Sequence, residues 1–169
     1  MKRNSAKDIM NLKGKRAIVC LTAYTAPIAR ALDEHVDLLL VGDSLGMVLY
    51  DYENTLSVTL PQMVEHAKSV VNASSSSCIV VDLPFGTYEE SKEKAFSNSS
   101  DVMKETNCNA IKLEGGQNMY ETVKFLTERS IPVMGHIGLQ PQRVLIEGGY
   151  KVKGKSKFEW NKFIEDALS

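Results

Sequence analysis

The chain has 169 residues, of which 43% are hydrophobic and 24% are charged, and its formal net charge is -1. This composition is typical of a globular protein with one sizeable core, so residues 1–169 are treated as a single domain. A nearly neutral chain has no general attraction to nucleic acid or anionic lipid, which favours a small-molecule ligand. The sequence has no run of about 20 apolar residues, so no membrane span is predicted.

Short apolar runs alternate with longer amphipathic segments along the chain, which is the pattern of a βα repeat. Strands are predicted at residues 17–21, 37–41, 78–81, 110–113 and 131–134. Helices are predicted at residues 26–34, 60–71, 88–106, 119–129 and 141–145, with another beginning near Lys157. Five units fit either a doubly wound sheet or the opening part of a (β/α)8 barrel, which needs about 250 residues. Because no strand follows the last helix, we expect a chain cut short of a complete barrel.

Cysteine usage bears on the cellular compartment. Cys20, Cys78 and Cys108 are widely spaced and odd in number. Two of them fall inside predicted strands, where a thiol behaves as a small apolar residue. Polar residues follow the basic start of the chain, which is unlike a signal peptide. A reduced, cytoplasmic protein is therefore expected.

Three acidic residues stand where predicted strands pass into loops: Asp43 in VGDSLG, Asp82 in VVDLPFG and Glu114 in IKLEGG. In a parallel α/β sheet the carboxyl ends of the strands meet at one edge, so these side chains are expected to converge. Neighbouring carboxylates repel one another and take up protons unless a cation compensates them, and all-oxygen ligands favour Mg²⁺ over zinc. Together the acids predict a Mg²⁺ site, although Asp43 or Asp82 taken alone is also typical of a turn.

Other polar residues admit two interpretations each. Lys112 and Glu114 share one face of a strand, where a structural ion pair is the alternative to a functional role. His136, in VMGHIG, is either a core histidine with satisfied hydrogen bonds or a polar contact in the same cleft. The basic, glycine-rich segment 148–155 is either a solvated loop or a functional segment, that is, a lid or an anion-binding loop. No GxGxxG or GxxxxGK[ST] motif occurs, so a nucleotide cofactor is not indicated.

Several strings in the chain resemble those of the ketopantoate hydroxymethyltransferase family, and they follow one another in that family's order along nearly the whole sequence. They are long enough that chance is a poor explanation. The strings are LTAY (21–24), VGDSLGMV (41–48), VTLPQMVEH (58–66), DLPFGTYE (82–89), IKLEGG (111–116), PVMGHIGLQPQ (132–142) and GGYKVKGK (148–155).

The resemblance implies a (β/α)8 TIM barrel of the phosphoenolpyruvate/pyruvate superfamily, of which this chain holds about the first five βα units. It also implies a homo-oligomer, commonly decameric. The implied reaction transfers a hydroxymethyl group from 5,10-methylenetetrahydrofolate to 3-methyl-2-oxobutanoate, giving ketopantoate for pantothenate biosynthesis. Mg²⁺ is the implied cofactor, and it stabilises an enolate.

The resemblance also assigns roles to individual residues. Asp43 and Asp82 match metal-binding aspartates, and Glu114 matches a third acidic residue of the metal site. Ser44 and Lys112 match residues that hold the 2-oxo acid. With His136, these residues and the two aspartates form the predicted substrate site. The glutamate thought to act as the family's base lies beyond residue 169, so no catalytic base is assigned.

Competing functions remain open at this point. The metal site alone would also suit another Mg²⁺-dependent 2-oxo-acid lyase or aldolase. A chain without the base is also compatible with a non-catalytic remnant or scaffold. A flavodoxin-like receiver module fits the length and the number of strands. Lys112 is expected to be a charged contact, and a Schiff base is the alternative chemistry.

Overall fold

The computed structural model describes residues 3–169. Within them five strands pair in parallel, and their order in the sheet follows the chain, β1-β2-β3-β4-β5. A doubly wound or flavodoxin-like sheet reverses its strand order at a switch point, so this consecutive order is that of a barrel wall. The strands are β1 (Cys20–Thr22), β2 (Leu38–Val41), β3 (Cys78–Asp82), β4 (Ala110–Glu114) and β5 (Val133–His136).

Helices alternate with these strands, as the βα repeat predicts. The longest begin at sequence signals for a helix start: α4 opens with a capping box between Thr59 and Gln62, with Pro61 in its first turn. Short 3-10 turns lie at Gln117–Met119 and Pro141–Arg143. The helices are α1 (Ala6–Met10), α2 (Ala26–Leu32), α3 (Leu45–Tyr50), α4 (Leu60–Ala73), α5 (Lys92–Thr106), α6 (Tyr120–Thr127), α7 (Val144–Glu147) and α8 (Lys157–Leu168).

The predicted elements are present, but several boundaries are wrong. The strand predicted at 17–21 pairs only at its end, and that predicted at 131–134 begins at Val133. The helix predicted at 88–106 begins at Lys92, because the Ser91 side chain accepts the Lys94 N–H and caps it. Helices α1 and α3 were not predicted. The loop predicted from Gly42 to Gly46 overlaps the start of α3 at Leu45.

Alternate residues of the strands separate an outer core from an inner one. Outward residues of β2, β3 and β4 pack against the helices: Leu39, Val41, Ile79, Val81, Ile111 and Leu113. Inward residues form a smaller cluster, Leu38, Cys78, Val80 and Ala110, against which Ile9 of α1 packs. The same inward face turns polar towards the carboxyl ends of the strands. Within residues 3–169, no helix combines the length and the apolar character needed to cross a bilayer.

An ion pair holds the amino-terminal end of β2. Asp37, the residue before β2, accepts hydrogen bonds from both terminal nitrogens of Arg16, at 2.7 and 2.5 Å, and from Val19 N–H at 2.9 Å. The Arg16 guanidinium lowers the pKa of Asp37 from 3.8 to about 2, because these bonds favour the charged carboxylate. This carboxylate therefore ties the segment before β1 to β2.

The Asp37 contact predicts how stability depends on pH. An aspartate whose pKa is lower in the folded chain stabilises the fold above its unfolded pKa, and that contribution is lost as the pH falls towards the folded value. We expect Asp37→Asn to lower the free energy of unfolding most above about pH 4, with the deficit shrinking towards about pH 2. Urea unfolding across this range measures it. The exposed change Glu128→Gln is the control, and a deficit in Asp37→Asn that stayed constant with pH would contradict the assignment.

Candidate active site

The strand register gathers the predicted polar residues at the carboxyl edge of the sheet. Asp82 on β3 is the register partner of Lys112 on β4, and Glu114 is the partner of His136 on β5. Asp43 follows β2 after Gly42, and Ser44 comes next. Asp43, Asp82 and Glu114 are only 3%, 4% and 7% exposed. The structure thus brings these six residues to one edge, and their roles as ligands stay predictions.

Asp82 is the centre of one half of the cluster. Lys112 Nζ lies 2.7 Å from Asp82 Oδ1, and both side chains are nearly buried. The Asp43 backbone N–H donates to Asp82 Oδ2 at 3.1 Å. A Cβ on Gly42 would lie 3.0 Å from Ser44 Oγ and 3.4 Å from Asp82 Oδ2, so glycine allows this close approach. The short ion pair engages Lys112 Nζ with Asp82, which favours a charged contact over a Schiff base.

Gln142 and Tyr88 build the other half. The Gln142 side chain donates through Nε2 to Asp43 Oδ2 at 2.8 Å and to the Leu83 carbonyl at 2.9 Å. Its Oε1 accepts the Tyr88 hydroxyl at 2.6 Å. The backbone N–H of Gln142 donates to Glu114 Oε2 at 3.1 Å. One glutamine therefore contacts two of the three carboxylates.

The ring of His136 lacks the full set of hydrogen bonds expected of a core histidine. Its Nδ1 lies 3.5 Å from Glu114 Oε1, and within residues 3–169 this buried nitrogen has no hydrogen-bond partner. Buried polar atoms are nearly always paired, so an orphan nitrogen at a cluster of acids indicates a place for a further polar group. This favours the cleft contact over the satisfied core histidine. The Ser44 hydroxyl, in contrast, is 2.8 Å from the Tyr24 hydroxyl.

Burial and mutual repulsion make the carboxylates costly to ionise. Burial, followed by the charge of Asp82, raises the pKa of Asp43 from 3.8 to about 7, although the bond from Gln142 opposes the change. Burial also raises the pKa of Asp82, against the opposing charge of Lys112. A cation bound by these two aspartates would favour their ionised forms and relieve this cost.

These residues fit a hard divalent cation that takes part of its ligands from water or substrate. Within residues 3–169, no three His, Cys, Asp or Glu side chains form a metal-binding set by themselves. Lys112 already binds one oxygen of Asp82, and Gln142 binds one oxygen of Asp43. Mg²⁺ usually binds one or two carboxylates and completes its shell with water and substrate oxygens, so a partial set of buried oxygen donors suits it.

A cavity and a loop adjoin the cluster. A cavity of about 210 Å³ is lined by Glu114, Gln142 and Tyr88 together with Phe85 and Ile146. Three larger clefts, of about 530, 510 and 330 Å³, contain none of the predicted site residues, whereas Glu114 lines the smaller cavity.

Segment 148–155 reaches the mouth of the site. The Tyr150 hydroxyl donates to Met47 Sδ on α3 at 3.5 Å. Burial and the nearby Asp43 and Glu114 charges raise the pKa of Tyr150. This position favours a lid over a solvated loop. Lys153 in the same segment pairs with Glu147, so its charge is already compensated.

Sequence reasoning missed Gln142, Tyr88 and Tyr24 as members of the site. Tyr88 was placed in a helix, and Gln142 in a weak one. Their signal was present only in the family strings DLPFGTYE, GLQPQ and LTAY, which do not reveal contacts. Their positions in loops give no periodicity from which a side-chain direction follows.

Comparison with known proteins identifies the family. A family model described as ketopantoate hydroxymethyltransferase matches residues 3–169. The chain belongs to the ketopantoate hydroxymethyltransferase family. It is 57% identical over 166 residues to a 3-methyl-2-oxobutanoate hydroxymethyltransferase of Rhizobium etli, covering 98% of this chain and 61% of that relative. The resemblance seen in the sequence is thereby confirmed, and this family member spans about three fifths of the relative's length.

Solved structures of the PEP mutase/isocitrate lyase superfamily share the fold of this family member. A 2,3-dimethylmalate lyase of that superfamily matches with a TM-score of 0.56 at 16% identity, covering 80% of this chain and 51% of the other. A phosphonopyruvate hydrolase, in complex with oxalate and Mg²⁺, matches with a TM-score of 0.62 at 11% identity, covering 91% and 65%. At these identities the likeness shows the fold, and it confirms five units of the expected barrel.

The Asp43 environment predicts an unusual gain in stability. Asp43→Asn removes a buried charge that repels Asp82 and keeps an oxygen to accept the Gln142 bond. Because the pKa of Asp43 is higher in the folded chain, ionising it lowers stability as the pH rises from about 4 to 7. Metal-free Asp43→Asn is expected to exceed the wild type by roughly 2 kcal/mol near pH 8 and to match it below about pH 4.

Chemical denaturation over this pH range, with and without Mg²⁺, measures the gain. Mg²⁺ is expected to stabilise the wild type and to leave Asp43→Asn nearly unchanged. Asp51→Asn is the matched control, since Asp51 is exposed at the end of α3 in a left-handed conformation that asparagine also adopts. A variant Asp43→Asn that is less stable than the wild type at every pH would show that repulsion does not dominate at this position.

Proposed function

We propose that this chain provides the metal-binding and 2-oxo-acid-binding part of a ketopantoate hydroxymethyltransferase. The reaction transfers a hydroxymethyl group from 5,10-methylenetetrahydrofolate to 3-methyl-2-oxobutanoate and gives ketopantoate, in pantothenate biosynthesis. Family membership supports the reaction. The observation that carries the proposal is the buried cluster of Asp43, Asp82 and Glu114 beside the Lys112 ammonium, at the barrel edge where such folds bind substrates.

Asp43 and Asp82 are the proposed direct ligands of Mg²⁺, and Glu114 is the third acidic residue of that site. The fit rests on buried, mutually repelling oxygen donors. When bound, the ion supplies Lewis-acid polarisation of a carbonyl oxygen and a positive charge that offsets the carboxylates. We propose no other cofactor, and methylenetetrahydrofolate acts as the co-substrate.

The chain's own polar groups then bind and orient the 2-oxo acid. Lys112, fixed by Asp82, presents a cation to the substrate carboxylate. The Ser44 hydroxyl is oriented by the Tyr24 hydroxyl and offers a hydrogen bond at the same edge. The unpaired Nδ1 of His136 offers another polar contact beside Glu114. Fixing the substrate in this way lowers the entropic cost of reaching the transition state.

The reaction breaks a C–H bond at C3 of the 2-oxo acid and forms a C–C bond to the one-carbon unit. A base takes the C3 proton, and the electron pair left on the enolate attacks the methylene carbon carried by the folate. Water supplies the hydroxyl oxygen in the transfer as a whole, and tetrahydrofolate leaves. We assign no base among the described residues, and we propose that they serve binding and charge stabilisation.

We also propose a cytoplasmic homo-oligomer, decameric as the family resemblance implies. Cys20, Cys78 and Cys108 are free thiols, in keeping with a reducing compartment. Several apolar side chains of α7 and α8 are between 76% and 82% exposed, which supports self-association: Leu145, Ile146, Phe158 and Leu168.

Substrate binding tests the role of Lys112. Lys112→Met removes the ammonium and keeps an unbranched side chain. We expect the affinity for 3-methyl-2-oxobutanoate, measured by calorimetry with Mg²⁺, to fall about 10- to 100-fold, because a charge-assisted hydrogen bond contributes roughly 1.5–3 kcal/mol. Lys124→Met is the matched control, since Lys124 is exposed on α6 over the Tyr120 ring. Equal binding by Lys112→Met and wild type would contradict the proposal.

The transfer itself is tested in the chain fused to the part of the Rhizobium etli relative that this chain does not match. NMR detection of ketopantoate, dependent on Mg²⁺ and methylenetetrahydrofolate, is the expected result. Bound 2-oxo acid with no product would favour a non-catalytic scaffold. Carbon–carbon bond formation or cleavage without folate would favour a lyase or aldolase.

A further inference from the structure

Gln142 is a polar residue of the site to which neither the sequence nor the family comparison gives a role. It lies in the 3-10 turn after β5 and is only 6% exposed. Its side chain and backbone N–H make four hydrogen bonds, to Asp43, Leu83, Tyr88 and Glu114. A buried amide with all its polar groups in use specifies one arrangement of its neighbours.

The orientation of the amide is fixed by its partners. Tyr88 Oη accepts the Glu114 N–H at 3.1 Å, so its own proton goes to Gln142 Oε1. The other end of the amide faces Asp43 Oδ2 and the Leu83 carbonyl oxygen, and a carbonyl oxygen only accepts hydrogen bonds. A flipped amide would set its own oxygen against that carbonyl. The Tyr88 hydroxyl and the Leu83 carbonyl together therefore orient Gln142 Nε2 towards Asp43.

We infer that Gln142 is a positioning residue that presets the carboxylates for the metal ion and the 2-oxo acid. It binds Oδ2 of Asp43 through its side chain and Oε2 of Glu114 through its backbone. Each carboxylate is thereby held through one oxygen, and the second oxygen of Glu114, Oε1, lies 3.5 Å from His136 Nδ1. This inference rests on the proposed function of the site.

A merely structural glutamine is the alternative. Gln142 also bonds the Leu83 carbonyl, and it packs the loop after β3 against the turn after β5. In that case its loss would lower stability and leave cation affinity alone. Partners that orient metal ligands behave differently, because their removal typically weakens metal binding 10- to 100-fold. Cation affinity therefore separates the two roles.

The test measures Mg²⁺ binding by calorimetry in the full 169-residue chain, with folding checked by circular dichroism. Gln142→Met keeps the volume and removes the amide. We expect its Mg²⁺ affinity to fall by about 10- to 100-fold. Gln140→Met is the matched control, because Gln140 lies in the same turn and its side chain donates only to the His136 carbonyl, at 3.2 Å. Its affinity is expected to stay within about twofold of the wild type.

Tyr88→Phe provides a second variant should Gln142→Met not fold. It removes the hydroxyl that fixes the amide, so Mg²⁺ affinity is expected to fall in the same direction. If Tyr88 acts through Gln142, the double variant will lose little more than Gln142→Met alone. If the losses of Mg²⁺ affinity in Gln142→Met and Tyr88→Phe simply add in the double variant, Tyr88 does not act through Gln142, and the positioning role is overturned.

The outcomes separate this inference from the proposed function. Unchanged Mg²⁺ affinity in folded Gln142→Met, or unchanged affinity in Tyr88→Phe, overturns the inference and leaves the transfer reaction standing. A wild type that binds Mg²⁺ but yields no ketopantoate in the fused protein overturns the reaction, while a loss in Gln142→Met still supports the positioning role. A wild type that does not bind Mg²⁺ overturns both.

Discussion

Three carboxylates have to share a buried edge of a parallel sheet, and the arrangement of the site follows from that constraint. In water such charges are weakly coupled, but burial removes the solvent that would screen them. The chain offsets the repulsion with one ammonium, Lys112 beside Asp82, and with oriented N–H groups from Asp43 and Gln142. The compensation is incomplete, since the pKa of Asp43 remains raised to about 7. We propose that a bound cation supplies the missing positive charge.

The two ends of β2 show how a barrel separates stability from chemistry. Asp37 stands at the amino end with Arg16, and its pKa falls to about 2. Asp43 stands at the carboxyl end against like charges, and its pKa rises to about 7. The same residue type is thus a stabilising contact at one end of a strand and a destabilising one at the other. In barrels of this kind, residues at the amino-terminal ends of the strands typically serve stability, and residues at the carboxyl-terminal ends typically serve chemistry.

Much of the fold follows from the sequence because apolar runs and βα alternation are local signals. The rule that parallel strands end at one edge was enough to place Asp43, Asp82 and Glu114 together before any coordinates. It did not choose between a barrel and a doubly wound sheet, because strand order depends on packing between distant segments. The consecutive order β1 to β5 settles that choice.

The remaining part of the site depends on contacts that no local pattern encodes. Gln142 meets Asp43 across 99 residues of chain, and Tyr88 meets Gln142 across 54. Both lie in irregular segments, where side-chain direction has no period. Tyr88 was assigned to a helix because the amphipathic pattern extends past the true start at Lys92, which the Ser91 cap defines. Loops that complete an active site are therefore the least predictable part of it.

The most direct test of the account is the titration of the aspartate carboxyl groups by carbon-13 NMR, with and without Mg²⁺. The account predicts that one aspartate, absent from the spectrum of Asp43→Asn, titrates near pH 7 in the metal-free chain. Saturating Mg²⁺ should move that titration down by more than about one unit, because the cation favours the ionised form. Ordinary titration of Asp43 without the metal, unchanged when Mg²⁺ is added, would contradict the account.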